Sequence, residues 1–311
     1  MRRVALRYAG GADAALDRPA HVRAASGLCW WRDRLAVISD DASFLGLVDP
    51  ATGLTDPITL PHAPGGSRQF DTGRGNKADK LDLECMLAIT QRLYAFGSDS
   101  GLEVRRQVLS ITGSIAGDEV RLDARPRLYD ALRVPELGGG VLNIEGALAT
   151  GPIVMFANRG GDVGPDGRAT PDALLSLSTG DFMNLIDDPG YPPTRPTRAR
   201  IVELGDLDGA ALHLTELALL RDRTIAFAAT AEATTSAYDD GAVAGSVIGH
   251  LTADDARWMR VLDERGDLLV AKIEGIAAGP TPDRIFAAID ADDPARPSEL
   301  LELSLDARPD A

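Results

Sequence analysis

The stretch Lys80-Leu-Asp-Leu-Glu-Cys-Met-Leu-Ala-Ile-Thr-Gln-Arg-Leu-Tyr-Ala-Phe-Gly-Ser98 holds two short apolar runs on either side of a polar turn. Runs of this length and composition read as the two strands of a β-hairpin. The first run carries Glu84 near its start, and the second ends on polar Ser98. Four other segments repeat the plan. Ala25-Ser-Gly-Leu28 precedes Arg34-Leu-Ala-Val-Ile-Ser-Asp40, and Ile144-Glu-Gly-Ala147 precedes Pro152-Ile-Val-Met-Phe-Ala-Asn158. Thr215-Glu-Leu-Ala218 precedes Arg223-Thr-Ile-Ala-Phe-Ala-Ala-Thr230, and Ile273-Glu-Gly-Ile276 precedes Asp283-Arg-Ile-Phe-Ala-Ala-Ile-Asp290. Aligned on Ser26, Glu84, Glu145, Glu216 and Glu274, the copies are spaced by 58, 61, 71 and 58 residues.

A recurring unit of about 60 residues with four short strands predicts a propeller blade. Five copies fill the chain, so the expected fold is an all-β, five-bladed β-propeller, a single domain over residues 1–311. Ahead of the first copy, Val4-Ala-Leu-Arg-Tyr8 alternates like a strand. It is expected to pair in the last blade beside Leu300-Leu-Glu-Leu-Ser-Leu305, which closes the ring and removes an exposed edge. The segments Pro61 to Lys80, Gly160 to Pro171, Asp187 to Thr197 and Ala231 to Gly245 read as long loops. Loops of such length in a compact domain are mostly functional or disordered.

The net charge of −15 opposes binding to nucleic acid or anionic membranes. No stretch approaches the roughly 20 apolar residues of a membrane span, and Met1 to Tyr8 lacks the apolar run of a signal peptide. A cytoplasmic protein with a small-molecule substrate or ligand at the channel mouth, and no nucleic-acid or membrane partner, is the expectation. Cys29 and Cys85 are too few for a four-cysteine zinc site and read as buried thiols.

In a propeller the first strand of each blade lines the central channel, and the second runs back to the same face. Ser26, Glu84, Glu145, Glu216 and Glu274 are therefore expected around the axis near one face. Asp40, Asp41, Ser98, Asp99, Asn158, Arg159, Thr230, Glu232, Asp290 and Asp292 should surround them. Lys80, Asp82, Asn143, His213 and Lys272 lead into the first strands. Converging carboxylates repel unless something neutralises them. A hard cation is the simplest remedy, and Ca2+ accepts 6–8 oxygen ligands. Ca2+ is thus the expected cofactor, with Ser26 and the four glutamates as metal ligands. Three alternatives stay open: each Glu accepts backbone N–H groups within its own blade, the channel holds water, or Lys80 and Lys272 neutralise part of the ring.

The segments Ala25 to Leu28, Asp40-Asp41, Lys80 to Glu84, Gly97 to Gly101, Ala231-Glu232, Asp239 to Ser246 and Lys272 to Ile276 resemble an uncharacterised bacterial β-propeller family of unknown function. More distantly, the chain resembles the calcium-activated nucleotidase (apyrase) five-bladed propellers. That resemblance implies a Ca2+ in the channel, with Ser26, Glu84, Glu145 and Glu274 at matching ligand positions. Glu216 departs, because that family has Ser there. Ser39-Asp40-Asp41 resembles that family's acidic turn, whereas its phosphate-binding basic residues find no clear match.

The expected function is a metal-dependent hydrolase acting on a phosphate ester or anhydride, with Asp40 or Asp41 activating water. His213, three residues before Glu216, reads either as a rim histidine or as a further catalytic residue. Alternatives are a lactonase- or esterase-like propeller, a glycoside hydrolase for which no carboxylate pair stands out, and a non-catalytic scaffold or ligand-binding protein with a structural ion. Whether the chain is an enzyme at all stays open at this level. No HExxH is present, and Gly97-Ser-Asp-Ser-Gly101 lacks the central Ser of a nucleophile elbow. Arg105-Arg106 reads as a solvated strand pair, or else as an anion contact at the rim.

Overall fold

The computed structural model describes residues 1–63, 65–114, 117–164, 167–192, 195–232 and 243–305. Among the described residues the strands form five sheets, the blades of one β-propeller. Blade one comprises Ala25–Trp31, Arg34–Ser39, Phe44–Val48 and Leu54–Thr59. Blade two comprises Leu83–Ile89, Arg92–Gly97, Gln107–Ser114 and Gly117–Ala124. Blade three runs through Ile144–Ala149, Ile153–Asn158, Ala173–Ser178 and Arg198–Ile201. Blade four runs through Ala210–Leu219, Ile225–Glu232, Val243–Leu251 and Ala256–Arg260, with the short strand Asp206–Leu207 beside its first. Blade five has Lys272–Ala278, Arg284–Asp290 and Glu299–Ser304. Within each blade successive strands pair antiparallel, and the five first strands touch one another in ring order.

The chain closes this way because each sheet buries apolar side chains on both faces against its neighbours. Five apolar clusters fill the five gaps between blades. The cluster between blades five and one joins Phe286, Ala288 and Leu300 to Leu28 and Leu35, so the ring has no open gap. Between blades two and three, Phe96 meets Phe156 edge-on at 5.0 Å between ring centroids. Such pairs contribute about 0.5–1.5 kcal/mol beyond the area they bury.

The N-terminal segment splits its pairing, unlike the single strand expected over Val4 to Tyr8. Arg2–Ala5 is the outer strand of blade five, in register Val4↔Leu300. Arg7–Tyr8 then pairs in parallel with Leu54–Thr59 of blade one, in register Arg7↔Leu54. Leu6 and Tyr8, both buried, enter the cluster between the two blades. The segment thus ties the last blade to the first.

Among the described residues two α-helices interrupt the all-β pattern. Pro126–Leu132 starts with Pro at its first position, and Thr179–Asp187 is capped by Ser178, which accepts from the Asp181 N–H. The second buries Phe182 against Phe96 and Tyr94. Among the described residues no helix is long and apolar enough to cross a membrane. The expected loop over Ala231 to Gly245 and the motif Asp239 to Ser246 fall largely outside the described residues.

Every first strand skips one residue in its pairing with the second, and the position of that residue sets what faces the axis. The pairing skips one residue at Ser26, Glu84, Glu145 and Glu274 in blades one, two, three and five. In blade four it skips Thr215, not Glu216. A bulge adds one unpaired residue, and side chains alternate faces with period two, so a one-residue offset moves a side chain to the opposite side. The structural counterpart of Ser26, Glu84, Glu145 and Glu274 is therefore Thr215. The hydroxyls of Ser26 and Thr215 play the same part: each donates to the backbone of the next blade, at Leu83 O (2.7 Å) and Ile273 O (2.6 Å).

Candidate functional site

One end of the channel opens into a cup of about 400 Å3. The bulge residues Ser26, Glu84, Glu145 and Glu274 reach its wall. The ends of the second strands add Asp40, Asp41, Arg159, Glu232, Asp290 and Asp292. The lead-in residues Lys80, Asp82, Asn143 and Lys272 complete the inner wall, and the loop from Phe70 to Lys77 forms one side. Eleven carboxylates and six cationic side chains line this one cup. Counted as fully ionised, the wall is strongly negative.

The cations are interleaved with the acids. Lys80 Nζ lies 2.5 Å from Asp40 Oδ2 and 2.6 Å from Asp82 Oδ1. Arg105 is buried and lies 3.0 Å from Asp82 Oδ2, so it is neither a strand residue nor solvated as the Arg105-Arg106 pair suggested. It closes the 3-10 turn Glu103–Arg105, which turns it inward. Arg106 faces outward to Asp99 and Asp130. Arg159 spans Glu145 (3.8 Å) and Glu232 (3.1 Å), and Lys272 lies 2.9 Å from Glu274. The buried Arg23 holds Asp41 at 2.6 Å, Gln69 at 2.9 Å and Asp71 at 3.3 Å, which fastens the Phe70 loop to the rim.

Burial dominates the acid–base behaviour of the cup. It pushes Glu84 well above the usual carboxylate range, helped by the charges of Asp82, Asp40 and Glu145. Glu145 rises to about 8 for the same first reason, with Arg159 opposing. Glu274 and Asp290 also rise by burial. Asp41 rises to about 7, through burial and then the charge of Asp40. Asp82 goes the other way: burial is outweighed by Lys80 and Arg105, which hold it low. Burial alone would lower the Lys80 ammonium, but Asp40, Asp82 and Glu84 outweigh it and raise it well above the ordinary value.

The donor set suits a hard cation. Oxygens of Asp40, Asp82 and Glu84 lie within 4.8 Å of one another. Asp40 Oδ1 and Asp41 Oδ1 are buried and take no hydrogen bond among the described residues. Buried carboxylate oxygens without partners are costly, and the all-oxygen chemistry is that of Ca2+ rather than of zinc. Asp82 also has a left-handed backbone at φ 57°, as do Ala24 at 40° and Asp292 at 47° on the same wall. Non-glycine residues so held concentrate at functional sites.

Ser98, Asp99, Asn158 and Thr230, expected around this site, do not line the cup, and Glu216 and His213 lie elsewhere as well. Glu216 is fully buried and does not line the cup. It occupies the layer beneath, where the residues that follow the other bulges are Gly27, Cys85, Gly146 and Gly275. The three glycines leave room for nothing else: a Cβ at Gly27 would meet Glu84 O at 2.9 Å, and one at Gly146 would meet Leu217 N at 2.9 Å. Glu216 fills the axis, and its Oε1 accepts from Leu217 N (2.8 Å) and Ala147 N (3.2 Å). It is a plug of the channel, bound to blade three. His213 also lies off the wall of the cup. Its Nδ1 is 2.8 Å from Asp172 Oδ2, while Asp172 Oδ1 accepts from Leu214 N, so the pair braces blade four against blade three.

The sequence reading missed Arg23 and Lys77, and left Arg105 open between a solvated strand residue and an anion contact at the rim. One signal could have found part of this set. The chain has 29 arginines but only three lysines, Lys77, Lys80 and Lys272. All three line the cup.

No curated protein matches the chain in sequence. Among solved structures, a glutaminyl cyclase from Myxococcus xanthus is similar with a TM-score of 0.49 and 11% identity, covering 98% of this chain and 96% of that one. MPT-4, a mannose phosphorylase from Leishmania mexicana in complex with phosphate ion, gives 0.45 and 11% over 98% and 88%. An alpha-L-arabinanase from Penicillium chrysogenum complexed with arabinobiose gives 0.44 and 7% over 99% of both chains. Nothing about the chemistry of this chain is drawn from likenesses so distant. Residues 21–305, nearly the whole propeller, match the family of unknown function DUF6929, and the chain belongs to that family.

Proposed function

We propose that the cup is the active site of a cation-assisted hydrolase acting on a phosphate ester or anhydride. The observation that carries this reading is the convergence of Asp40, Asp82 and Glu84 oxygens within 4.8 Å, in a cup whose carboxylates outnumber its cations. Glu84, Glu145 and Glu274, with Asp40 and Asp82 beside them, would hold a divalent cation, Ca2+ by first choice. Thr215, at the skipped position of blade four, is a hydroxyl residue where the resembled nucleotidase family has Ser, but it does not line the cup. When bound, such an ion would supply charge neutralisation and Lewis-acid polarisation of a substrate oxygen.

The remaining work falls to the chain's own residues. Asp41 is the preferred general base: it is titratable near neutrality, it lines the cup, and its Oδ1 takes no hydrogen bond among the described residues. Asp40 is less suited, because its carboxylate belongs to the proposed cation seat. Arg23 fixes the orientation of Asp41 through Oδ2. Lys77, exposed at the rim and in no ion pair among the described residues, is suited to meet an incoming anionic group. A volume of about 400 Å3 limits the substrate to a small molecule.

The test is a hydrolase screen on phosphate monoesters, nucleotides and lactones with Ca2+ supplied, followed by Asp41→Asn. Turnover on phosphate substrates that is lost in the variant supports the reading. No turnover on any substrate, with Ca2+ binding demonstrated, would replace it by a ligand-binding propeller with a structural ion.

A further inference from the structure

We infer that Lys80 is a resident counter-cation that occupies the metal seat in the metal-free protein and must be displaced when a divalent cation binds. This rests on the reading of Asp40, Asp82 and Glu84 as part of that seat. Lys80 Nζ touches carboxylate oxygens of two of the three residues, at 2.5 and 2.6 Å. The side chain is buried, so the ammonium is not a solvated surface charge that happens to lie nearby. An ammonium is a compact point charge on a flexible stem, whereas guanidinium is a planar fork. The chain meets almost every other need for a cation with Arg and keeps its three lysines for this cup.

The consequence is a protein that folds without metal, because its own charge fills the seat, and that binds metal with reduced affinity. The apparent affinity falls by the fraction of molecules in which the seat is open. Release of Lys80 also frees an ammonium at the cup wall only when the ion is present. A substrate anion would then find Lys80 available alongside Lys77, so that ion and anion binding reinforce each other.

Calorimetric Ca2+ titration of the wild type, Lys80→Gln and Lys77→Gln tests this. Both variants remove one positive charge from the same cup, but only Lys80 sits among the proposed ligands. Lys80→Gln is expected to bind Ca2+ at least about tenfold more tightly than the wild type, with Lys77→Gln changed by less than about threefold, the scale of a rim charge. Equal gains in the two variants, or no gain in Lys80→Gln, would overturn the inference while leaving the metal seat intact. Absence of Ca2+ binding in all three proteins would overturn the seat itself, and the inference with it. Should Lys80→Gln fold poorly, the wild type answers alone. Labelling with 15N-lysine gives three Nζ signals, and Ca2+ saturation should move or broaden the Lys80 signal. An unmoved Lys80 signal at saturation would refute displacement.

Discussion

Replacing Glu216 by Gln and by Ala separates a channel plug from a metal ligand. In the native fold Glu216 is fully buried, its Oε1 accepts two backbone amides, and no cationic side chain is paired with it among the described residues. Burial pushes its carboxyl well above the ordinary range, with the amides of Leu217, Ala147 and Leu28 pulling the other way. Where the native carboxyl is protonated, Gln is nearly isosteric and keeps a carbonyl acceptor for both amides. Glu216→Gln should therefore change stability by less than about 1 kcal/mol near pH 5. The unfolded carboxyl ionises in that region, so the raised native pKa costs the wild type stability as pH rises. The cost grows by about 1.4 kcal/mol per pH unit while the native group stays protonated. Gln carries no such cost, so it should be the more stable form at pH 8. Glu216→Ala orphans two buried N–H groups at about 1–3 kcal/mol each, for a loss of about 2–5 kcal/mol. Urea unfolding of the three proteins at pH 5, 6.5 and 8 gives the comparison. A Gln variant destabilised by more than about 2 kcal/mol at pH 8 would refute the reasoning, because it would mean an ionised Glu216 with a favourable partner such as a metal ion.

Three further outcomes are expected. Asp41→Asn should lower turnover by at least about 100-fold, the low end for loss of a general base, and wild-type turnover should rise with pH through about 7. Because the native Asp41 pKa is raised, its stability contribution is full below the ordinary aspartate range and is lost as pH rises through about 7; Asp41→Asn should flatten that part of the wild-type stability profile, and an unchanged profile would count against it. Deleting residues 1–8 removes Leu6 and Tyr8 from the closure cluster and bares the Glu299–Ser304 edge. Burial of two such side chains is worth about 1.5–3 kcal/mol each, so a lower unfolding midpoint and concentration-dependent association should follow; a monomer of unchanged midpoint would refute the closure role. Ca2+ at a hundredfold excess over its dissociation constant should stabilise the protein by about 2.7 kcal/mol, and a melting curve unmoved at proven saturation would mean that the ion binds folded and unfolded chain alike.

The sequence by itself determined the number of blades and the face of the ring that carries the acids. Both follow from local signals: hairpins recur at near-constant spacing, and first and second strands must share one end of each blade. It also placed Ser26, Glu84, Glu145 and Glu274, because each stands near the start of the first apolar run of its hairpin. Only the tertiary structure decided the fourth blade. Thr215 and Glu216 are adjacent and both plausible in sequence, and the choice depends on where one unpaired residue is inserted. That position is set by which side chain fits the axis beside Gly27, Gly146 and Gly275, three residues contributed by other blades. The inward direction of three of the cup's cations was hidden for a related reason. Arg23, Lys77 and Arg105 lie in connecting segments whose direction no periodicity encodes. They reach the acids of neighbouring strands only after the ring has closed around them.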